Sequence, residues 1–405
     1  MTKWLGMLIR RERLGRNLSQ EGLCRGICVV SYLSKIEQGK AEAGEDILRP
    51  LLERLGMAYE TDPAFLARAG HTVETMYAEL LAGREYAARF TQALADMEAE
   101  LPRYMASPYM LDATLLRAGR GAGPDDAGPW RAAVDELGEF APYMTNRQYA
   151  LFLLVKLLAG QDRDGTAENL LRLDPCAYYT CQVGAQQYFA GQYMKAASTL
   201  ERAYDLAARE GAVYIMCSAK AFLGNCYSDT GQKELMLETY AVERKLAEAC
   251  DDSDQMVIID YNIASTYLEW GMADEAYALL KDMDYDSSLY YHKLAIALEK
   301  LGRRSEALSA LEAGFAALKR EGDRAVHRGM MELVAYRLRH PDYRHDKVYA
   351  AQMEETFELL RREMSNGFVL FHVPYMLEVL EAQRRYRDAY RLLAEFSGME
   401  HLLPH

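Results

Sequence analysis

Polar, basic and small apolar side chains follow one another closely in the run VSYLSK, residues 30–35. Ser31 and Ser34 carry hydroxyls that can donate or accept hydrogen bonds, and Lys35 can reach a guanine edge or a phosphate. Val30 offers a methyl surface that suits contact with a thymine methyl group. If the exposed side of a helix presents these groups, the run predicts contacts with the base edges of double-stranded DNA.

Two short helices are predicted ahead of this run. The apolar residues of the first recur at helical spacing, and this helix should end near Gly15. Those apolar residues are Leu5, Leu8, Ile9 and Leu14. Ser19 is a favourable N-cap for the second helix. Leu23 and Cys24 of that helix are expected to face the core.

The third helix is expected to present the run to solvent. It should extend from about Val30 to Gln38, with Gly39 as the left-handed residue just beyond its end. Leu33 and Ile36 lie three residues apart and must face inward, which leaves the polar residues on the exposed side. The residues predicted to contact DNA are Ser19, Gln20, Val30, Ser31, Tyr32, Ser34, Lys35 and Lys40.

The whole segment from Ser19 to Lys40, SQEGLCRGICVVSYLSKIEQGK, resembles the Cro/repressor (Xre-type) helix-turn-helix family. The resemblance covers roughly residues 4–57 and is carried by the SQ-x-x-L opening and the LSKIEQGK close. It implies that Gln20 touches a phosphate and that Glu37 pairs with Arg13 of the first helix as a structural contact. Pro50 departs from the pattern, because it interrupts the fourth helix, removes one backbone hydrogen bond and is expected to kink it.

Charge is distributed unevenly along the chain. The first 40 residues hold eight Lys or Arg and three acidic residues, whereas the whole chain has a formal net charge of −13. The remainder therefore carries −18, so that a polyanion would be attracted to the N-terminal segment and repelled by the rest.

Beyond His71 the pattern is one of successive helices punctuated by glycine, and four segments align with one another. They are residues 183–203, 223–243, 263–283 and 294–314. Turn glycines occur in the same slot of each segment, at Gly191, Gly231, Gly271 and Gly302. Small residues occupy the slot seven positions earlier, at Gly184, Gly224, Ala264 and Ala295. This is the tetratricopeptide pattern. The first two intervals between successive segments exceed the usual period of about 34 residues and predict extended helices.

These patterns predict an all-α fold with an N-terminal five-helix helix-turn-helix domain over 1–68. A C-terminal α-solenoid of tetratricopeptide-like helix pairs is predicted over 69–405 as a sensor and oligomerisation domain. Such arrays have a concave groove lined by the first helix of each pair. The residues predicted to bind a peptide there are Tyr188, Asn225, Asp229, Tyr261, Asn262 and Glu269. The wider set of inner positions adds Tyr178, Gln182, Ser228, Lys293 and Glu299.

Asparagine in such a groove has both a donor and an acceptor for a peptide backbone. An equally weighted alternative is that Asn225 and Asn262 only bridge neighbouring helices. The combination of an Xre-type head with tetratricopeptide repeats resembles the RRNPP group of peptide-pheromone-responsive regulators. That resemblance implies a short signalling peptide in the groove, a homodimer and altered DNA binding. Two alternatives are a regulator whose repeats bind only protein partners, and a tetratricopeptide adaptor with a vestigial head.

Other chemistry is sparse in the sequence. It contains no HExxH, GxSxG, P-loop or kinase signature, so that no enzyme, catalytic residue, metal or cofactor is expected. The seven cysteines form no CxxC pair and are expected to be thiols. The glycine-rich run 119–129 is expected to be a loop. No run of 18 apolar residues and no secretory signal occur, which favours a cytoplasmic protein without a membrane span.

Overall fold

The computed structural model describes residues 3–84, 87–121, 134–161, 165–250 and 252–397. Within these ranges the chain is helical and contains no strand, which confirms the all-α prediction. Residues 119–121 of the predicted loop over 119–129 are helical, which corrects that part of the prediction, and residues 122–129 lie outside the described residues.

The N-terminal part of the chain contains ten helices within the described residues. They are α1 (Lys3–Gly15), α2 (Gln20–Cys24), α3 (Val30–Glu37), α4 (Glu45–Arg54), α5 (Pro63–Leu81), α6 (Ala88–Ala99), α7 (Leu101–Met105), α8 (Met110–Gly121), α9 (Asn146–Leu158) and α10 (Thr166–Leu173). Residues 134–138 are also helical, and a 3-10 turn follows at Ala141–Tyr143.

Helix pairs continue to the end of the described chain. They are α11 (Ala177–Phe189), α12 (Tyr193–Glu210), α13 (Val213–Asp229), α14 (Lys233–Ala249), α15 (Ser253–Glu269), α16 (Ala273–Leu280), α17 (Ser288–Lys300), α18 (Arg304–Arg320), α19 (Ala325–Arg339), α20 (Lys347–Glu363), α21 (Asn366–Ala382) and α22 (Tyr386–Ser397).

The chain forms two compact units. One contains the residues up to Gln186 together with Arg202–Ile215, and the other contains Gln187–Glu201 together with the residues from Met216 onward. The predicted domain boundary at 68/69 lies inside α5. The division into 1–68 and 69–405 therefore stays a prediction.

Helices α1 to α3 form the N-terminal core as the apolar spacing predicts. Leu23 and Leu33 are fully buried, and Ile36 is buried beside them. Ser19 caps α2 by accepting a hydrogen bond from the Gly22 amide at 2.9 Å. Gly39 adopts a φ of +65°, and its amide and that of Lys40 donate back to carbonyls of α3, which closes the helix.

Two expectations about this region are wrong. Leu14 is 53% exposed, because Leu5 and Ile9 define a stripe four residues apart that continues at position 13. Arg13 therefore faces inward in place of Leu14. Pro50 does not interrupt the fourth helix, which is continuous over Glu45–Arg54. The missing amide costs that helix only one internal hydrogen bond, while Leu48, Leu51 and Leu52 bury its inner face.

The repeat slots have the conformation that their residue types predict. The turn glycines have left-handed φ values between +71° and +76°, which other residues adopt at a cost. They are Gly191, Gly231, Gly271 and Gly302. Helices α12 to α15 have 17 or 18 residues each, which explains the long intervals between the first repeats. Helix α16 has only eight residues, and the last interval is correspondingly short.

Contacts with residues 136–143 support the N-terminal helices. The rings of Trp4 and Phe140 meet edge to face at 6.3 Å, and the Arg11 guanidinium lies 5.6 Å from the Phe140 centroid. The Tyr143 ring packs against Gly39 at the end of α3, where a Cβ would lie 2.7 Å from the ring. The position of α3 therefore depends on contacts outside the three-helix motif.

Candidate DNA-binding surface and ligand cavity

Helix α3 presents part of the predicted contact set to solvent. Val30, Ser31 and Lys35 are exposed, whereas Tyr32 and Ser34 are half-buried. The Tyr32 hydroxyl donates to the Glu42 carbonyl at 3.1 Å, and the Ser34 hydroxyl accepts from Gln38 Nε2 at 3.0 Å. These two residues have intramolecular partners, whereas Val30, Ser31 and Lys35 are the members of the predicted base-contacting set on α3 that are exposed to solvent.

The flanking predicted residues have different surroundings. Ser19 is exposed and serves as the cap of α2. Gln20 Nε2 donates to Glu37 Oε2 at 2.8 Å, so that this side chain joins α2 to α3. Lys40 is exposed just beyond the end of α3.

A buried ion pair links α1 to α3. Arg13 Nε donates to Glu37 Oε1 at 2.7 Å, and Arg13 Nη2 donates to Glu37 Oε2 at 2.9 Å. Glu37 is 2% exposed, and Arg13 also donates to the Leu18 carbonyl at 2.7 Å. The hydrogen bonds to Glu37 raise the pKa of Arg13. This bidentate geometry fixes the orientation of α3 relative to α1.

Gly6 is a positioning residue that sequence reasoning missed. It is buried on α1, and a Cβ there would overlap the Ile36 carbonyl oxygen and lie 2.7 Å from the carbonyl carbon. Helices α1 and α3 therefore approach more closely than any side chain at position 6 permits. A glycine among the inward-facing residues of α1 was the available signal.

A cavity of about 240 Å³ lies in the second compact unit. All six residues predicted to bind a peptide line it, together with Ser228 and Lys293 of the wider set. Sequence reasoning missed seven further lining residues, which include three contributed by the start of α21 and its N-cap. The missed residues are Phe189, Phe222, Ser265, Thr266, Ser365, Gly367 and Phe368.

Three residues of the wider set do not line the cavity. Tyr178 and Gln182 belong to the first compact unit. Glu299 accepts hydrogen bonds from Arg337 Nε at 2.8 Å and Nη2 at 2.6 Å, so that its carboxylate has a structural partner. The repeat register alone did not distinguish these positions from the lining ones.

One carboxylate oxygen of Asp229, Oδ2, is buried in the cavity wall without a hydrogen-bond partner among the described residues. The hydroxyls of Tyr261 and Ser265 are buried in the same wall, where burial raises the pKa of Tyr261 and a hydrogen bond with Ser265 opposes this rise. A buried polar group without a hydrogen bond is costly, so that Asp229 Oδ2 favours a ligand or solvent that pairs with it. Burial raises the pKa of Asp229 to about 6, and hydrogen bonds from Tyr188 and Tyr193 oppose this rise.

Opposite charges lie at another part of the cavity. Lys293 is 2% exposed, and its Nζ lies 2.8 Å from the centroid of the Phe371 ring. Burial lowers the pKa of Lys293 to about 7, and the Glu269 carboxylate opposes this fall. Glu269 remains accessible to solvent, and partial desolvation in the groove raises its pKa against the effect of Lys293.

An aromatic cluster forms a further part of the wall. The centroid of the Tyr188 ring lies 5.5 Å from that of Phe189 and 5.8 Å from that of Phe222. Phe189 and Phe222 meet edge to face at 5.6 Å, and Phe189 is 40% exposed. The cavity therefore offers apolar surface beside amides and charges, a combination that suits a small amphipathic ligand.

Replacing Asp229 by asparagine is expected to stabilise the protein at pH 8. The folded protein keeps the Asp229 carboxyl protonated up to about pH 6, whereas the unfolded chain loses this proton near pH 4. The contribution of Asp229 to the free energy of unfolding therefore falls as the pH rises from about 4 to about 6. The variant should gain about 3 kcal/mol at pH 8, as measured by urea unfolding. The gain should disappear near pH 4.

Asp205→Asn provides the control, because Asp205 is exposed on α12. Its free energy of unfolding should differ little from that of the unmodified protein at either pH. Equal stability of the Asp229→Asn protein and the unmodified protein at pH 8 would show that burial of this carboxylate carries no penalty.

Comparison with known proteins identifies the N-terminal region. Residues 9–60 match the helix-turn-helix family. No curated protein matches the chain in sequence. Among the described residues, no helix combines the length and apolar character that crossing a membrane requires.

Two solved structures have a similar fold over most of the chain. A Rap protein complexed with competence and sporulation factor is 14% identical, with a TM-score of 0.64 over 83% of this chain and 98% of that chain. The apo form of the quorum sensor NprR from B. thuringiensis is 16% identical, with a TM-score of 0.57 over 82% of this chain and 99% of that chain. The protein thus has an Xre-type helix-turn-helix domain followed by tetratricopeptide-like helix pairs, and it resembles the RRNPP group in fold.

Proposed function

We propose that this protein is a cytoplasmic transcription regulator whose repeat cavity binds a short signalling peptide that alters DNA binding. The observation that carries the proposal is the cavity in which Asn225, Asn262 and the unpartnered Oδ2 atom of Asp229 converge. The helix-turn-helix domain supplies the second activity, sequence-specific binding to double-stranded DNA.

The similar structures support this assignment. One of them is a Rap protein in complex with competence and sporulation factor, and the other is described as a quorum sensor. Sharing their fold supports a peptide as the ligand of this cavity. The acidic Asp229 and Glu269, together with the net negative charge beyond the first 40 residues, favour a peptide that carries positive charge.

A homodimer is part of the proposal, because heads of this kind usually bind two half-sites. The half-sites would lie about 34 Å apart or at a multiple of that distance. A solenoid flexes by small rotations between repeats, so that a bound peptide can change the separation of two heads.

Selection of genomic fragments with the purified full-length protein tests DNA binding, and footprinting then defines the site. A bipartite footprint with half-sites one or two helical turns apart supports a dimeric regulator. Adding pools of basic hexapeptides to the selected fragment should change its affinity in at least one pool, whereas scrambled controls should not. The absence of any enriched fragment at low salt would contradict the proposal that the protein regulates transcription. It would favour the alternative that the protein is a tetratricopeptide adaptor.

Replacing Lys35 by alanine is expected to weaken binding to the selected fragment by roughly 5- to 150-fold, the loss of one base or phosphate contact. Lys35 is exposed on α3, so that the fold should be unchanged. Fluorescence anisotropy measures the affinity, and Lys319→Ala, an exposed change on α18, is the matched control. Equal affinities of Lys35→Ala, Ser31→Ala and the unmodified protein would show that this surface of α3 does not contact DNA.

A further inference from the structure

The head contains a second cavity, of about 190 Å³, which is lined by side chains of α1, α2 and α3 and of the C-cap of α3. We call this space the head cavity, and its lining residues are Arg10, Arg13, Leu14, Gln20, Ser34, Glu37 and Gln38. Gln20 and Ser34 belong to the predicted DNA contacts, whereas no motif assigns a role to Arg10, Leu14 or Gln38. A ligand of the head cavity would therefore lie beside the proposed DNA-binding surface.

The head cavity adjoins the side of α3 that carries the exposed base-contacting residues. Ser31, Ser34, Lys35 and Gln38 recur at the three- and four-residue spacing of one side of a helix. The first and third of them are exposed, and the second and fourth line the cavity. A helix with its side chains is about 10–12 Å wide, and the major groove of DNA is about 12 Å wide. When α3 occupies the groove, the sugar–phosphate backbone therefore lies against the flank of α3 that borders this cavity.

Arg10 supplies the unbalanced charge of the head cavity. Three of its lining side chains are charged, and the bidentate hydrogen bonds between Arg13 and Glu37 balance two of them. Arg10 is exposed and has no hydrogen bond or ion pair with another described residue. The adjacent Arg11, by contrast, lies 3.7 Å from a carboxylate oxygen of Glu136. One positive charge is thus left for an anion.

Leu14 gives the same cavity an apolar wall. Its side chain is 53% exposed and lies four positions after Arg10, on the same side of α1. Apolar surface beside a guanidinium suits one nucleotide of the DNA backbone, because the deoxyribose presents C–H groups and the phosphate accepts charge-assisted hydrogen bonds. The Ser34 hydroxyl accepts from Gln38 Nε2 at 3.0 Å, which leaves its own proton to donate to the same phosphate.

We propose that the head cavity binds one sugar–phosphate unit of the DNA backbone, with Arg10 bound to the phosphate and Leu14 packed against the deoxyribose. The inference rests on the proposed DNA-binding function. Gln20 cannot supply the charge for this contact, because its amide is neutral and already donates to Glu37 Oε2. Backbone contacts position a protein on the duplex without reading its sequence, so that Arg10 should act equally on selected and unrelated DNA.

The charge contact is measured by fluorescence anisotropy of the full-length protein over a series of salt concentrations. The probes are the selected fragment and an unrelated duplex of the same length. Arg10→Ala should weaken binding to both by a similar factor of roughly 10, the value of one charge-assisted hydrogen bond. It should also reduce the slope of log affinity against log salt by about 0.9 for each bound head. Arg10→Lys keeps the charge and should keep the slope.

Arg49→Ala is the matched control. Arg49 is an exposed arginine of the same head, but it belongs to α4, which contributes no residue to the head cavity. This variant loses the same formal charge, so that its salt slope should equal that of the unmodified protein. An equal loss of slope in Arg10→Ala and Arg49→Ala would show that net charge alone, and no contact in the cavity, accounts for the effect.

Neutral methylphosphonate linkages, placed one at a time in the selected fragment, identify the contacted phosphate. At least one linkage in each half-site should weaken binding of the unmodified protein about 10-fold and have no further effect on Arg10→Ala, because the two changes remove the same contact. A purely structural role of Arg10 would leave the dependence on that linkage intact. Leu14→Ala should weaken binding to both duplexes about 3- to 10-fold through lost apolar contact, with an unchanged salt slope.

The possible failures are distinguishable. If the unmodified protein binds neither duplex at low salt, the proposed DNA-binding function fails and this inference fails with it. If it binds, and Arg10→Ala has the same salt slope and the same response to every methylphosphonate, the head cavity does not bind the backbone although the DNA-binding function stands. Arg10 is exposed, so that the thermal unfolding of Arg10→Ala should match that of the unmodified protein.

Discussion

Replacement of Arg13 by alanine should destabilise the N-terminal helices by about 3–5 kcal/mol, the usual cost of removing one partner of a buried ion pair. Glu37 is 2% exposed and would keep its charge with only Gln20 as a remaining side-chain partner among those described. Hydrogen–deuterium exchange of the full-length protein should show loss of protection in α1 to α3. Affinity for the selected DNA should fall with it.

The control for this change is Arg16→Ala, in the turn that directly follows α1. Arg16 is 47% exposed and reaches Glu12 only at 3.7 Å, so that its removal should cost less than about 1 kcal/mol. Replacing the pair together, with Arg13→Met and Glu37→Leu, should restore much of the stability lost by Arg13→Ala. Unchanged protection in the Arg13→Ala protein would show that the pair does not hold α1 against α3.

Gly6→Ala should have the second-largest effect, because the added methyl meets a backbone atom that cannot rotate away. The new Cβ would overlap the Ile36 carbonyl oxygen, so that α1 and α3 must separate. Overpacking of this kind costs about 1–3 kcal/mol or somewhat more. DNA affinity should fall as well, because Ile36 belongs to the helix that carries Ser31 and Lys35. Exchange protection of α3 and anisotropy with the selected fragment measure the two effects.

Gly15→Ala is the matched control at the other end of α1. A Cβ at Gly15 would have no heavy atom within 4 Å, and alanine favours a helix by about 0.5–1 kcal/mol over glycine. That variant should be as stable as the original protein or slightly more so, with unchanged DNA affinity. If Gly6→Ala behaves in the same way, the close approach of α1 and α3 is not required for the fold.

Local sequence patterns predicted the helix ends and the buried side of α3, because neighbouring residues along the chain determine these features. Ser19 can cap α2 and Gly39 can adopt a positive φ whatever surrounds them, so that their residue types indicate the helix ends. The repeat glycines act in the same way. Apolar spacing identified Leu33 and Ile36 as buried, since periodicity alone determines which side of a short helix faces inward.

The predictions were wrong at positions where packing between segments distant in sequence determines which side chain is buried or whether a helix continues. Arg13 replaces Leu14 on the inner side of α1 because Glu37, 24 residues away, neutralises its charge. Pro50 is tolerated because buried leucines hold α4 against its neighbours despite one lost hydrogen bond. The apolar spacing shows neither compensation, although the family resemblance implied the pairing of Arg13 with Glu37.

Spacing along the chain is enough to predict the helical class, the repeat register, the helix-turn-helix segment and the residue types available for DNA and peptide contact. Which of those residues share a cavity depends on packing between distant segments, since Gly367 and Phe368 of α21 join Asn225 of α13 across more than 140 positions of sequence. Packing also decides their chemistry. The Tyr240 hydroxyl donates to Asn225 Oδ1, and burial and hydrogen bonding by neighbours of this kind determine which atoms of a side chain remain for a ligand.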